Sequence, residues 1–397
     1  MPQKHSPHML SAFPAYSSGF LDDTHLVLGG GGGAARTGIL NKLRVYSVGS
    51  DRNLNLVDEL ELARGEDAPM SMATSPEDGT LACGVNSPME QMAKGENENC
   101  RVYAFKDQKL ALVRSHGTLN SGDAEDYQKV TVLSPDATLL AVAGTNSFQL
   151  LAYPALTPLA GAITTEKEIY DATFSKTTLV VATTANLLVY ALPTPETKPS
   201  PSKNKKKGKQ KVAVLSELEL LQTLAPPVGL SRISATTFRA ARFHPANSDI
   251  LYTISNTVPA RSRTRKPAPT QAYICKWNTT SWTSDKVKKV CDKSITCFRT
   301  SPDGKLLAYG DQGLSVGLLD SMSLSPLATI LKAHDQFAST TLAFNQTATL
   351  LVSASADNSV RVISVPESIA KSSWSVVLFI ILALFMAILA FAAQQYT

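Results

Sequence analysis

Ser301-Pro-Asp-Gly-Lys-Leu-Leu-Ala-Tyr-Gly310 reads as a tight turn followed by a short β-rich run that ends in small residues. Proline presets φ and glycine accepts φ > 0, which is the chemistry of a turn between strands. Variants of the phrase stand at Phe20 to Gly29, Ser75 to Gly84, Ser134 to Ala143, Phe174 to Ala182, Phe243 to Tyr252 and Phe344 to Ser353, making seven copies. Anchored on Leu26, Leu81, Leu139, Leu179, Leu251, Leu307 and Leu351, the copies are 55, 58, 40, 72, 56 and 44 residues apart. Those intervals centre near or above the roughly 40 to 45 residues of a four-stranded propeller blade. Alternating runs such as Leu43 to Val48, Arg101 to Phe105 and Val360 to Val365 follow the phrases and read as third strands. The pattern predicts an all-β, seven-bladed β-propeller. Its last blade lacks an outer strand, which Lys4 to Ser11 is long enough to supply, closing the ring.

The Trp-Asp dipeptide of WD repeats is absent and only Lys332-Ala-His-Asp335 approaches the usual Gly-His, so the blades are WD-repeat-like and divergent. The propeller is expected over residues 1–366, followed by a juxtamembrane linker, 367–373. Trp374 to Ala393 then runs for twenty residues without a charge, long enough to cross a hydrocarbon core of about 30 Å. Twelve of those residues are Leu, Ile, Val or Phe, which favours insertion by roughly 4 to 7 kcal/mol. Trp374 and Tyr396 flank the run, and Lys371 precedes it, so the expectation is a single C-terminal transmembrane helix, 374–393, with a short lumenal tail, 394–397, and the propeller in the cytosol. The first residues carry prolines at 2, 7 and 14 and no apolar run of signal-peptide length.

The formal charge is +5, but residues 193–212 hold seven lysines against one glutamate, leaving −1 for the rest. A nucleic-acid-binding face is not implied, and no aromatic residue interleaves the lysines. This Pro, Ser and Lys tract is expected to be a disordered insert between strands, and Arg261 to Lys266 a second basic loop. Five cysteines without a C-x-x-C pair point to a reducing compartment rather than a disulfide framework. The six histidines show no metal spacing and no nucleophile motif appears, so no covalent chemistry is assigned.

Leu26-Val-Leu-Gly-Gly-Gly-Gly-Gly-Ala-Ala-Arg-Thr-Gly-Ile-Leu-Asn41 is the conspicuous local feature. A dinucleotide site needs a helix after the glycines, yet Lys42 to Val48 alternates as a strand, and a P-loop needs Gly-Lys-Ser/Thr, which is missing. Consecutive glycines instead give a backbone free to bring carbonyls and amides close to an ion or a partner. Thr37 to Asn41 adds exposed apolar residues beside a polar amide, which a mere linker does not need.

Phe13 to Tyr16, the glycine run, Thr37 to Leu43, Glu125 to Lys129 and the C-terminal apolar span together resemble the ER-membrane guanine-nucleotide exchange factors of the Sar-type small GTPase. The resemblance covers about the whole chain. It implies a seven-bladed cytosolic propeller whose first-blade loop holds potassium and engages the GTPase. By position it assigns Asn41 and Ile39 to exchange, Thr37, Gly38 and Leu40 to partner contact, and Gly29, Gly30, Gly31, Gly32, Gly33 and Asn41 to the potassium ion. Leu40 stands where some members have proline. The implied activity is GDP release and GTP loading on the GTPase at the ER surface, initiating COPII coat assembly for ER-to-Golgi transport, with no nucleic-acid partner. The alternative is a membrane-tethered propeller scaffold that binds a partner without exchange activity. A nucleotide-binding enzyme is disfavoured by the missing helix.

Overall fold

A computed structural model describes residues 4–34, 37–119, 121–193, 217–231, 235–258, 270–365 and Leu382. Seven antiparallel sheets account for nearly all of it. Strands a to d of blade 1 are Ala15–Phe20, His25–Gly30, Lys42–Val48 and Leu54–Glu61, and those of blade 2 are Ser71–Ser75, Thr80–Gly84, Cys100–Lys106 and Lys109–His116. Blade 3 has Val130–Leu133, Leu139–Ala143, Ser147–Ala152 and the short Thr157–Pro158, with Ile163–Thr164 pairing its third strand. Blade 4 has Ile169–Phe174, Thr178–Thr183, Leu187–Ala191 and Leu220–Leu224, and blade 5 has Ala235–His244, Asn247–Val258, Ala272–Asn278 and Thr283–Cys291. Ile295–Thr300, Leu306–Asp311, Val316–Asp320 and Pro326–Ile330 form blade 6, and Ser339–Phe344, Leu350–Ser355 and Ser359–Ser364 the inner three strands of blade 7.

His5–Met9 supplies the missing outer strand of blade 7, pairing with Ser359–Ser364 in the register His5 to Ile363 through Met9 to Ser359. Asn358 clasps the join: its Oδ1 accepts the Phe13 N–H at 2.7 Å and its carbonyl the Leu10 N–H at 2.8 Å. The a strands touch one another in succession from blade 1 round to blade 7 and back to blade 1, so they form the wall of a central shaft. The core is divided in the same way, into seven apolar clusters that each lie between neighbouring blades. Leu26, Leu81, Leu179, Leu251, Leu307 and Leu351, six of the seven anchors of the repeated phrase, are fully buried on the b strands, each contributing about 1.5 to 3 kcal/mol over leaving it in water, while the seventh, Leu139, is half-buried.

The phrase works through its serine as well as its turn. Ser301 Oγ donates to Asp303 Oδ1 at 2.6 Å and accepts the Leu306 N–H at 2.9 Å, while Gly304 takes φ +73°. Ser134 repeats the arrangement with Asp136 and Leu139. These turns join strands a and b on one face of the ring, and Val365 leaves blade 7 there, donating its N–H to Thr349 O at 2.8 Å. Loops joining b to c, among them the glycine loop, lie on the opposite face.

The basic tract 193–212, apart from Pro193, and the basic loop 261–266 lie outside the described residues, as do the linker and, apart from Leu382, the expected membrane helix 374–393 and tail. Among the described residues no helix is long and apolar enough to cross a membrane. The two short helical turns present, Met89–Met92 and Val228–Ser231, sit on connections at the glycine-loop face.

Candidate functional site: the first-blade glycine loop

Five glycines were expected to belong to one loop, but Gly29 and Gly30 close strand b of blade 1, paired with Leu43 and Lys42. They are glycines because neighbouring chain comes too close for a side chain: a Cβ on Gly29 would meet Pro69 Cβ at 2.7 Å, and one on Gly30 would strike Pro14 O. The free loop starts at Gly31, whose N–H donates to Pro14 O at 2.9 Å. Gly31 and Gly33 take φ +139° and +71°, a region that strains any L side chain, and a Cβ on Gly31 would fall on Asn41 Oδ1.

Asn41 holds the base of this loop. Its Oδ1 accepts the Gly33 N–H at 2.9 Å, and its Nδ2 donates to Gly33 O at 3.0 Å and to Glu66 O at 2.7 Å. The amide therefore faces inward, half-buried. Its own carbonyl accepts the Leu62 N–H at 2.9 Å. The tip is carried outward: Thr37, Gly38 and Leu40 are exposed, Leu40 by 53%, and Ile39 is half-buried with its N–H 3.3 Å from Thr37 Oγ1. Asn41 is thus brought against Gly31 and Gly33, while Ile39 and Leu40 are displayed beside it with no polar partner of their own side chains to find.

The support beneath comes from residues that local patterns do not mark. Glu66, whose backbone carbonyl receives Asn41, is fixed by an ion pair to Arg101 at 2.6 Å and by accepting the Ala63 N–H at 2.7 Å. Next to it Asp67 is buried, with Oδ1 accepting the Ala68 N–H at 2.7 Å and lying beside Gly33 and Ala34. Burial pushes the Asp67 carboxyl above the usual carboxylate range, opposed by the N–H groups of Ala68 and Ala34, with Glu125 adding repulsion. Glu125 to Lys129 thus reaches the loop through the field of Glu125. Its Gln128 is instead a buried pin between blades, receiving Asn99 Nδ2 at 2.8 Å and donating to Thr131 Oγ1 at 2.7 Å. Arg44, on strand c, lies 4.3 Å over the buried Phe13 ring, packing Phe13 to Tyr16 against the same strand.

The WD domain, G-beta repeat family matches residues 324–364, the outer strand of blade 6 and the inner three of blade 7. That stretch contains His334 and Asp357, which tie the two blades together. The chain is 30% identical over 139 residues to the guanine nucleotide-exchange factor SEC12 of Candida glabrata, covering 34% of this chain and 30% of that protein. It is 24% identical over 347 residues to the SEC12-like protein 2 of Arabidopsis thaliana, covering 84% of this chain and 74% of the relative. With seven closed blades, a WD-repeat match over 324–364 and these relatives in agreement, the chain is a seven-bladed propeller that resembles SEC12 and SEC12-like proteins.

Proposed function

We propose that this protein is a guanine-nucleotide exchange factor for a Sar-type small GTPase, held at the ER membrane, and that residues 31–41 are its exchange element. The observation carrying the reading is the pairing of an apolar tip, exposed Leu40 beside half-buried Ile39, with a base braced by the Asn41 amide. The likeness to the Candida glabrata guanine nucleotide-exchange factor supports the activity.

A tip carried on a braced base suits exchange because part of its ordering is met before the partner arrives, so more of its contact energy goes into favouring the nucleotide-free form. GDP then leaves and the more abundant nucleotide enters by mass action, with the final equilibrium unchanged. In this mechanism Ile39 and Leu40 make apolar contact with the GTPase near its nucleotide site, Thr37 and Gly38 shape the approach, and Asn41 positions them. Its amide is occupied within the loop, so its role is positioning.

Potassium fits the same base. Gly31, Gly32 and Gly33 offer backbone carbonyls, and Asn41 Oδ1 is a hard amide oxygen packed against Gly31. Among the described residues there is no cluster of His, Cys, Asp and Glu to favour a harder-charged or softer ion. We assign the ion to Gly31, Gly32, Gly33 and Asn41, with Gly29 and Gly30 released to the strand; bound there, it would add charge that stiffens the loop.

The membrane anchor is 374–393. Since Val365 departs on the face opposite the glycine loop, an anchor following it leaves the loop facing away from the bilayer, open to a cytosolic GTPase. COPII coat assembly for ER-to-Golgi transport follows from GTP loading confined to that membrane.

The test is release of fluorescent GDP from a Sar-type GTPase by the full chain in detergent, in potassium and in sodium. Acceleration of release is expected, with Asn41→Ala losing about a hundredfold of it while the chain stays folded. Binding of the GTPase with release at its intrinsic rate would leave a scaffold, and equal rates in the two salts would remove the ion. Topology has a reporter in two glycosylation sequons, Asn278-Thr-Thr280 and Asn345-Gln-Thr347: Asn345 is buried with its amide bonded to Thr347 and Thr349, so Asn278 is the one open to modification in the folded protein. It is expected to stay free of glycan in cells, and a glycan there would reverse the orientation.

A further inference from the structure

The central shaft has its positive charge gathered on one side. Around a cavity of about 120 Å³ stand Arg239 and Arg242 from strand a of blade 5, Arg299 from strand a of blade 6, and Lys129 beside blade 3, against the single carboxylate of Asp171 from blade 4. Lys129 is committed to Glu168 at 2.8 Å. Asp171 is committed as well: its Oδ1 accepts the Ala172 N–H at 3.0 Å, and its Oδ2 accepts the Ala241 N–H at 3.0 Å and pairs with Arg242. Arg242 spends the same nitrogen on Ala172 O and Ala241 O, at 3.1 and 2.6 Å.

Two guanidiniums are left. Arg299 gives its Nε–H to Leu342 O at 3.2 Å, and Arg239 rests 5.1 Å over the Tyr170 ring. Among the described residues neither has a carboxylate within ion-pair distance. Burial, reinforced by the charge of Arg242, draws the Arg299 guanidinium down to about 10, so it remains a cation at neutral pH. Both residues are half-buried, and a cation taken partly out of water without an ion-pair partner favours the recruitment of an anion; a guanidinium presents a planar fork matched to the oxygens of phosphate. Thr131 and Thr340 line the same cavity and add hydroxyl groups.

We propose that the shaft between blades 4 and 6 is a binding site for a phosphate group, gripped by Arg239 and Arg299 with Arg242 held beside them by Asp171. A second cavity of about 410 Å³ shares Arg242 and Arg299 with the first and is walled by Pro245, Pro302 and Phe344, at the face of the a-to-b turns. It gives room for the organic part of a small phosphate monoester entering from that face. Free phosphate and a monoester share the chemistry and differ in whether they use this second space. The site is independent of the glycine loop on the opposite face.

The test is thermal unfolding and titration calorimetry of the full chain in detergent, with inorganic phosphate or glycerol 3-phosphate against sodium chloride at equal ionic strength. At about a hundred times the dissociation constant, phosphate is expected to raise the melting temperature of the wild type by several degrees and to titrate as one site. Arg239→Gln/Arg299→Gln is expected to lose both signals. The double variant also loses the Arg299 bond to Leu342 O and the Arg239 contact with Tyr170, so circular dichroism without phosphate checks that it is folded, and Arg299→Lys, which keeps the charge and loses the fork, is expected to bind about tenfold more weakly. No saturating heat with the wild type, or an equal rise in the double variant, overturns the site and leaves an ionic-strength effect only. Tighter binding of glycerol 3-phosphate than of phosphate identifies a monoester as the ligand; equal binding identifies the free ion.

Discussion

Asn41 and Gly31 are a matched pair, because the amide occupies the space that a side chain at 31 would need. Asn41→Ala removes three hydrogen bonds, each worth about 1 kcal/mol net, but from a surface loop whose opening leaves the ring intact. It is therefore expected to abolish exchange while lowering the melting temperature by only a few degrees. Gly31→Ala is expected to reproduce the loss of exchange by pushing the amide aside at a strained φ, and full activity in that variant would show that the bracket is dispensable. His334 is a buried residue of a different kind. Ser359 Oγ donates to Asp357, so His334 Nδ1 donates to Ser359 Oγ at 2.6 Å and Nε2 accepts from Ser353 Oγ at 2.7 Å. Burial holds the imidazole down at about 4, against the pull of Asp357. Between that value and the unfolded value near 6.5 the unfolded chain takes up a proton that the folded chain refuses, so stability falls as pH drops through this window. A loss of about 2 kcal/mol between pH 7 and pH 5 is expected in urea unfolding, and His334→Gln should flatten that dependence even if it lowers the stability at pH 7. Asp357 acts lower: despite burial, hydrogen bonds from Ser359 and Gln336 keep its carboxyl far below the usual range, so its contribution persists until the pH passes below about 3.8.

The blade repeats a single device, a turn locked to the strand that follows it. Ser301 is wholly buried and joins Asp303 to the Leu306 N–H, so Ser301→Ala is expected to cost about 1 to 3 kcal/mol in unfolding free energy by leaving that N–H without its partner. Ser→Ala at a turn without that pair of bonds should cost less. This device was legible in Ser301 to Gly310 because its parts lie within a few residues of one another. The glycine run was legible in part. Its composition marks a loop, but nothing in five identical residues shows that Gly29 and Gly30 continue a strand; that follows from Pro14 and Pro69 crowding against them. Glu66 and Asp67 were not legible as part of the site, since they stand on the connection between blades 1 and 2 and reach the loop only through the packing of one blade on the next.

The ring is held shut by a five-residue strand from the N-terminus. Deleting residues 1–11 would leave the edge of Ser359–Ser364 unpaired and strip the Asn358 carbonyl of the Leu10 N–H. The truncated chain is expected to melt at least about 10 °C lower and to self-associate in light scattering; an unchanged, monomeric chain would mean that the velcro strand contributes little. The two faces of the ring also divide the molecule. The glycine loop stands on one, while the other carries the a-to-b turns, the exit of the chain after Val365 and the two strand ends, Ala191 and Leu220, between which the basic tract falls. An anchor after Val365 would set the arginine-lined shaft opening toward the bilayer and the loop toward the cytosol.

Turn phrases, strand alternation and the apolar span are short-range patterns, and they alone were enough for the seven blades, their closure by Lys4 to Ser11 and the expectation of an anchor. Blades are self-contained units, so each repeat declares itself locally. The direction of the Asn41 amide, the support from Glu66 and Asp67, and the meeting of Arg239, Arg242 and Arg299 in the shaft were decided by the tertiary structure. Each depends on the angle at which neighbouring blades pack around the ring, which brings together side chains whose separation along the chain carries no pattern.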